Sequence, residues 1–565
     1  MSLEGERIQN MNNQLEDLPK HHKATKKEKL VIVASSLGTM FEWYDFYLYG
    51  LLATYISSQF FSGVNDTTAF ILALAAFAAG FAIRPFGSLV FGRLGDIVGR
   101  KYTFLVTMGL MGMSTFAVGL LPSYETIGIA APIILVGLRL LQGLAVGGEY
   151  GGAATYVAEH APNNKRGLYT SFIQTTATLG LIVSLMLVIG LRSVMGEEAF
   201  ADWGWRIPFL VSVLLLAISL WIRMQLSESP VFQKMKDEGT TSKTPIREAF
   251  GKWKNVKFAL IALFGAVAGQ AVIGYTGQFY TLFYLVKILK VDAGTANILI
   301  AITLVIGTPF FIIFAWLSDR IGRKPIIVTA CLIAALAYFP AFKALTYAAN
   351  PALAAAVENS PVTVVADDDE CSVQFDPIGE NKFDSTSCDI VKAYLASHGI
   401  NYSNEGAEAG MVAQVNIGDR VITAPDPAGL SEEEKTAAIA SFHAEIQAGL
   451  DAAGYPQMAD PEQINKPLVL LILVGLMILV TAPYAPLAAM LVEMFQARIR
   501  YTAMSLPYHI GNGWFGGFLP SAAFAMVAAT GDIYYGLWYP VVIAGMTFVV
   551  GLLFLPETFR RNIDD

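Results

Sequence analysis

Gly92-Arg-Leu-Gly-Asp-Ile-Val-Gly-Arg-Lys101 is a short, strongly charged stretch with a long apolar run on either side. Such a placement predicts a loop between two membrane-spanning helices. Much later, Ala315-Trp-Leu-Ser-Asp-Arg-Ile-Gly-Arg-Lys324 repeats the pattern, again between apolar runs, with Asp319 matching Asp96. A second echo follows: Glu159 stands seven residues before Arg166, and Glu493 seven before Arg500. Two echoes imply one structural unit used twice. The second pair lies further apart than the first, so the second copy must hold extra sequence between Lys324 and Glu493. Internal membrane repeats of this kind are the building plan of transporters.

Composition supports a membrane protein. Of the 565 residues 54% are hydrophobic and only 15% charged, and the mean hydropathy is +0.51. Soluble domains carry about 25% charged residues. Twelve apolar runs are each long enough to cross a hydrocarbon core of ~30 Å: near 30–54, 69–92, 102–121, 130–157, 168–191, 206–226, 257–285, 296–317, 325–346, 467–492, 502–529 and 533–555. They must be helical, because lipid offers the backbone no partners. No cleavable signal peptide is visible in the first 29 residues, which are polar and include Lys20, Lys23, Lys26, Lys27 and Lys29.

Charge sets the orientation. The N-terminal tail, the Gly92 loop, Lys165–Arg166, the segment Arg223–Lys257, Arg320–Lys324, Arg498–Arg500 and Arg560–Arg561 alternate onto one side. The other side carries Asp66, Glu125, Glu197, Glu198 and Asp532 with few basic residues. The basic side faces the cytoplasm, so both termini are expected there. Most of the chain's excess acidity lies between Tyr347 and Asn465, which leaves the membrane body basic and rules out nucleic acid as a partner for that segment.

The fold expected is an all-α membrane protein of twelve transmembrane helices in two six-helix halves, with a small α/β extracytoplasmic insert between helices 9 and 10. The layout is a cytoplasmic tail over 1–29, a bundle over 30–226, a linker over 227–256, the first part of a second bundle over 257–346, the insert over 347–466, the rest of that bundle over 467–556 and a tail over 557–565. In the insert, Val362–Ala366 and Val412–Thr423 read as strands and Asp389–His398 as a helix. Ser431-Glu-Glu-Glu434 reads as a capping box opening a second helix, with Ile439, Phe442, Ile446 and Leu450 on one face. Cys371 and Cys388 would face an oxidising periplasm and are expected to form a disulfide.

Ionisable groups inside apolar runs mark the candidate site, because each costs at least ~2.5 kcal/mol at mid-membrane. Glu42 and Asp45 share one face of the first span with Phe46 and Tyr49. Arg84 precedes Pro85 in the second span. In the fourth, Arg139, Gln142, Val146 and Glu149 share a face beside the cluster Gly147, Gly148, Gly151 and Gly152, small residues that let a neighbouring helix approach. Gln174, Tyr275, Gln278 and His509 are the polar candidates of spans five, seven and eleven. Glu42, Asp45 and Glu149 are the expected proton carriers. Arg84, Arg139, Tyr44, Gln142, Gln174, Tyr275, Gln278 and His509 are the expected substrate contacts, and Asp96, Arg100, Asp319 and Arg323 the gating loops. No Gly-rich phosphate loop ending in Gly-Lys-Ser/Thr is present, so ATP is not expected as the direct energy source. No catalytic residues, metal ligands or cofactor are expected, the proton gradient supplying the energy to a monomer in lipid; the chain does not read as an enzyme.

These motifs resemble the major facilitator superfamily, and within it the metabolite:proton symporter family. The Asp96 loop, its Asp319 copy and Arg139-Leu-Leu-Gln-Gly143 are similar to superfamily signatures. Phe41-Glu-Trp-Tyr-Asp-Phe46, Arg84-Pro-Phe-Gly87, Val146-Gly-Gly-Glu-Tyr-Gly-Gly152 and Phe515-Gly-Gly-Phe-Leu-Pro520 resemble the symporter family. The resemblance implies the major facilitator fold in a bacterial inner membrane and proton-coupled uptake by alternating access, the small-molecule substrate and protons being the partners. It does not cover the first 25 residues or the insert. Family substrates are small carboxylates such as 2-oxoglutarate, citrate or shikimate, or zwitterions such as proline and betaine. The family's osmolyte carriers have a long coiled-coil tail, and here Asp565 closely follows the last apolar run. On that ground an organic acid is the first expectation, a zwitterionic osmolyte the second, and a non-transporting sensor using the outer domain the third.

Overall fold

The structure is a computed structural model and describes residues 39–41, 43–62, 66–162, 164–225, 228–372 and 383–563. Glu42 and the tail expected over 1–29 lie outside the described residues. Apolar sequence surrounded by lipid must satisfy its own backbone, and it does so here as helices. Residues 43–51 are helical and lead into α1 (Ala53–Phe60), followed by α2 (Asp66–Ile97). Among the described residues ten further helices are long and apolar enough to cross a membrane: α3 (Arg100–Leu120), α4 (Ala130–His160), α5 (Arg166–Met195), α6 (Arg206–Met224), α7 (Trp253–Ile288), α8 (Ala293–Ile321), α9 (Arg323–Ala349), α10 (Lys466–Met494), α11 (Arg500–Thr530) and α12 (Tyr535–Phe554).

Within the first half α4 packs on α2 and α3, and α3 on α6; within the second, α10 packs on α8 and α9, and α9 on α12. The halves meet where α2 lies against α11 and α5 against α8. Small residues make these approaches possible. A Cβ on Gly147 would overlap the Arg84 carbonyl of α2, and one on Gly151 would overlap the Ser505 hydroxyl of α11. The α4 glycine cluster therefore brings α4 to backbone contact with α2 and seats it against the other half. After α6 the linker folds as two short helices, Pro230–Asp237, capped by Ser229, and Pro245–Phe250.

Between α9 and α10 the chain forms a small α/β unit. Its sheet has the order β2-β1-β3-β4, with β1 (Val362–Ala366), β2 (Tyr402–Gly406), β3 (Gln414–Ile417) and β4 (Arg420–Thr423). Strand β1 pairs in parallel with β2, so a crossover must join them, and the helix Ser387–Ser397 lies on that connection. The stretch 412–423, which reads as one strand, is a hairpin turning at Gly418. The helix Glu432–Ala452 starts with the capping box of Ser431 and Glu434 and buries Phe442, Ile446 and Leu450. Cys371 and Cys388 are joined by a disulfide that ties the start of the crossover helix to the segment after β1.

Candidate functional site

Three groups of polar and aromatic side chains occupy the interior. The first lies between the halves. Phe46 packs edge-on against Phe81 of α2 (5.2 Å) and Phe279 of α7 (5.5 Å), while Tyr47 stacks on Phe279 (5.8 Å) and Tyr275 on the same ring (5.4 Å). Trp43 joins through Tyr47 at 5.6 Å. The Arg84 guanidinium, half-buried, lies 4.3 Å from the centre of the Phe81 ring and 6.0 Å from that of Phe46. Among the described residues no carboxylate pairs with it, and its Nε has no hydrogen-bond partner. The buried imidazole of His509, on α11, lies within electrostatic reach of Arg84. Gln278 accepts a long bond from the Tyr47 hydroxyl (3.5 Å), so the two halves also touch through polar atoms here. Gln174 donates to the Tyr150 hydroxyl (3.0 Å), and the Tyr150 ring stacks on Tyr508 of the second half at 3.5 Å.

The second group is inside the first half. Asp45 pairs with Arg139 at 3.4 Å and accepts from Gln142 Nε2 at 3.2 Å. The same amide nitrogen donates to Thr115 at 2.7 Å, and the Arg139 guanidinium lies 3.8 Å over the Tyr49 ring. The Nε and Nη2 of Arg139 have no hydrogen-bond partner among the described residues. The charges are thus nearly dry but incompletely satisfied, a state in which a change of protonation alters the whole pair. Tyr44, expected to contact substrate, turns the other way: its hydroxyl donates to the Pro208 carbonyl of α6 at 2.7 Å, behind the bundle. That follows from helical geometry, since Tyr44 and Asp45 point about 100° apart.

The third group is built twice: Asp96 and Asp319, expected in loops, lie in the last turns of α2 and α8, and Arg100 and Arg323 open α3 and α9, so each charged stretch is mostly helix. Asp96 accepts from the backbone N–H groups of Tyr501 (3.3 Å) and Thr502 (2.9 Å), so it caps the start of α11 across the half boundary. Its counterpart Asp319 accepts from Gly167 (2.9 Å) and Leu168 (2.8 Å) at the start of α5. Carboxylates suit both places, because a helix N-terminus presents unpaired N–H groups and the positive end of its dipole. Glu159 receives Arg500 at 2.9 Å and Arg100 at 3.6 Å; Glu493 receives Arg323 at 3.2 Å and Arg166 at 3.5 Å. Glu228 caps α3 through Arg100 N and Lys101 N, and Glu557 caps α9 through Arg323 N and Lys324 N. Even the hydroxyl on each second carboxylate is duplicated, Ser229 on Glu159 and Thr558 on Glu493.

Glu149, expected as a proton carrier, belongs beside this network. It pairs with Arg223 at 3.0 Å and accepts from Thr107 at 3.3 Å, and the hydroxyl of Tyr501 reaches the neighbouring Gly148 carbonyl. Glu228, Glu557 and Arg223 were not among the expected site residues. The first two had a signal: Leu226-Ser-Glu-Ser229 and Leu555-Pro-Glu-Thr558 close the two halves with one pattern.

Comparison with known proteins places this geometry. The family model "Major Facilitator Superfamily" matches residues 35–359. A proline/betaine transporter of Salmonella typhimurium is 38% identical over 327 residues, covering 56% of this chain and 64% of that protein. A shikimate transporter of Escherichia coli K12 is 37% identical over 325 residues, covering 55% of this chain and 72% of that protein. The chain thus spans just under two thirds of the length of the proline/betaine relative. Among solved structures, the proton:xylose symporter XylE bound to 6-bromo-6-deoxy-D-glucose aligns over 95% of this chain and 98% of its own, with a TM-score of 0.57 at 14% identity. A double Trp variant of XylE aligns at a TM-score of 0.61 over 94% and 97%, at 15% identity. At such identity the likeness is one of fold alone. The matched family model, the repeat and the paired latches agree: the chain belongs to the Major Facilitator Superfamily.

Proposed function

We propose that the protein is a proton-coupled secondary transporter for uptake of a small carboxylate-bearing solute by alternating access. In this reading twelve spans form two six-helix halves in a bacterial inner membrane, with both termini cytoplasmic and the α/β insert in the periplasm. The observation that carries it is Arg84: a guanidinium between the halves, next to an aromatic cluster, with no carboxylate partner among the described residues. A planar fork of this kind binds a carboxylate through two hydrogen bonds. Rings from both halves surround the place where the rest of a bound solute would lie, and aromatic faces attract a quaternary or secondary ammonium. Together these features favour a zwitterion such as proline or betaine, in line with the proline/betaine relatives. An organic acid is the second reading, favoured by His509, whose buried imidazole puts a further hydrogen-bonding group within reach of Arg84.

The rest of the cycle uses the other two groups. Asp45 takes up the proton, which releases Arg139 and so alters the first span against α4. The duplicated latches hold the cytoplasmic side shut until the halves rock and withdraw Asp96 from α11 and Asp319 from α5. The test is uptake of labelled betaine, proline and shikimate into proteoliposomes under an imposed proton gradient. Uptake of betaine or proline that collapses with a protonophore and is lost in Arg84→Ala is expected. Shikimate as the better substrate would select the organic-acid reading, and uptake of all three unaffected by Arg84→Ala would remove Arg84 from the site.

A further inference from the structure

The α/β insert is fixed to the second half at the ends of α7, α9 and α11 remote from the latches. Asn350 Nδ2 donates to the Leu289 carbonyl (3.0 Å), Ala459 N to the Lys290 carbonyl (2.9 Å) and Asn465 N to the Ala348 carbonyl (2.9 Å). Tyr402 N donates to the Gly531 carbonyl (3.0 Å) and its hydroxyl to the Ala528 carbonyl (2.9 Å). Asn404 Nδ2 reaches the Thr530 carbonyl at 2.8 Å, and Asn401 Oδ1 accepts from Ile533 N at 3.0 Å. On the other side Gly399 lies so near α7 that a Cβ there would sit 2.7 Å from the Lys287 carbonyl. The six residues from Gly399 to Asn404 therefore bridge the end of α7 to the end of α11.

These two helices are interrupted. Helix α7 holds π-helical turns at Leu263–Val267, Thr276–Tyr280 and Tyr284–Ile288, and α11 holds one at Gly511–Gly516. Such turns leave the regular hydrogen-bond ladder and are places where a helix bends. Tyr275 and Gln278 lie before the last interruption of α7, and His509 lies just before that of α11. With free ends, each helix would swing about its own π-turns and shift those side chains independently.

We infer that Gly399–Asn404 is a brace, in which Asn401 and Tyr402 are positioning residues that hold the outer ends of α7 and α11 at one separation. The insert and the second half then turn as a single body, and the outer mouth opens by tilt of whole halves rather than by bending of either helix. The use of this brace in transport rests on the alternating-access reading above; the brace itself does not.

Spin labels on Ala293→Cys and Tyr535→Cys, at the exposed turns after α7 and α11, test it in the full-length reconstituted protein. The disulfide and the buried Cys331 leave these two thiols as the reactive ones. A narrow distance distribution is expected, broadening about twofold when Asn401→Ala and Tyr402→Phe are added. Equal widths overturn the brace, and this readout needs no substrate, so it stands even if the transport assignment fails. In the same double variant the KM for external solute should rise about threefold or more per folded molecule. An unchanged KM reduces both residues to plain stability. Asn404→Cys with Thr530→Cys, oxidised by copper phenanthroline, should cross-link and leave uptake within about twofold of a maleimide-blocked sample. Arrest of uptake by the cross-link, or failure of the two cysteines to join, overturns rigid docking.

Discussion

At the level of single residues, Asp45 and Arg139 carry the strongest prediction. The pair is buried, with Gln142 on one carboxylate oxygen and the Tyr49 face under the guanidinium. Removing one charge of such a pair leaves the other unsupported. Asp45→Asn mimics the protonated state permanently, so net uptake against a gradient should fall by at least about tenfold, while exchange of labelled for unlabelled solute changes by less than about threefold. Arg139→Lys keeps the charge but cannot place two parallel donors, and both activities should weaken. Wild-type accumulation and wild-type pH dependence in Asp45→Asn would move the proton elsewhere. Glu149, which pairs with Arg223 at 3.0 Å beside the latch, would then be the next candidate. A residue-scale reading of sequence found that glutamate by its cost in the membrane, yet could not find what it pairs with. The partner, Arg223, ends a helix that follows it by more than seventy residues.

At the level of elements, the latches make a symmetrical prediction. Asp96 and Asp319 each cap a helix of the opposite half with two charge-assisted hydrogen bonds. Asp96→Asn and Asp319→Asn should each weaken closure of the latch side by about 1–3 kcal/mol. Thiol accessibility of a cysteine placed between α5 and α8 reads this as faster labelling from the latch side. Matched effects from the two substitutions are expected, and an effect from only one would mean that the repeat is not used symmetrically. Much of this was legible beforehand, since the charged loops and the Glu–Arg echoes are local patterns. The cap geometry was not, because the N–H groups that Asp96 meets lie some four hundred residues away. In the insert, β1 and the capped helix Glu432–Ala452 follow from alternation and from Ser431 and Glu434. Strand β2 did not, since Tyr402-Ser-Asn-Glu-Gly406 is polar and mostly exposed, and its pairing comes from β1. The disulfide belongs to this scale too. It closes a short loop onto the crossover helix, and Cys371→Ser with Cys388→Ser should cost the insert about 3 kcal/mol, read as faster proteolysis within 350–465.

For the whole molecule, the insert is an addition to a repeat already complete without it. Both latches, the aromatic cluster and the Asp45–Arg139 pair lie outside residues 350–465, and no span is interrupted by that segment. The chain leaves α9 at Ala349 and enters α10 at Lys466, and the bond from Asn465 N to the Ala348 carbonyl brings those two ends together. A short polar loop can therefore replace 350–465 without stretching either helix. Such a protein should reach the membrane at normal levels and retain proton-driven uptake. Its KM should be raised, because the ends of α7 and α11 have lost their bridge, while its maximal rate should stay within about threefold. The disulfide leaves with the insert, so the truncated protein should also become indifferent to external reductant. Complete loss of uptake at a normal membrane level would be the contrary result. It would mean that the insert delivers solute to the mouth or senses it, and the two bundles would then no longer suffice as the transporting unit.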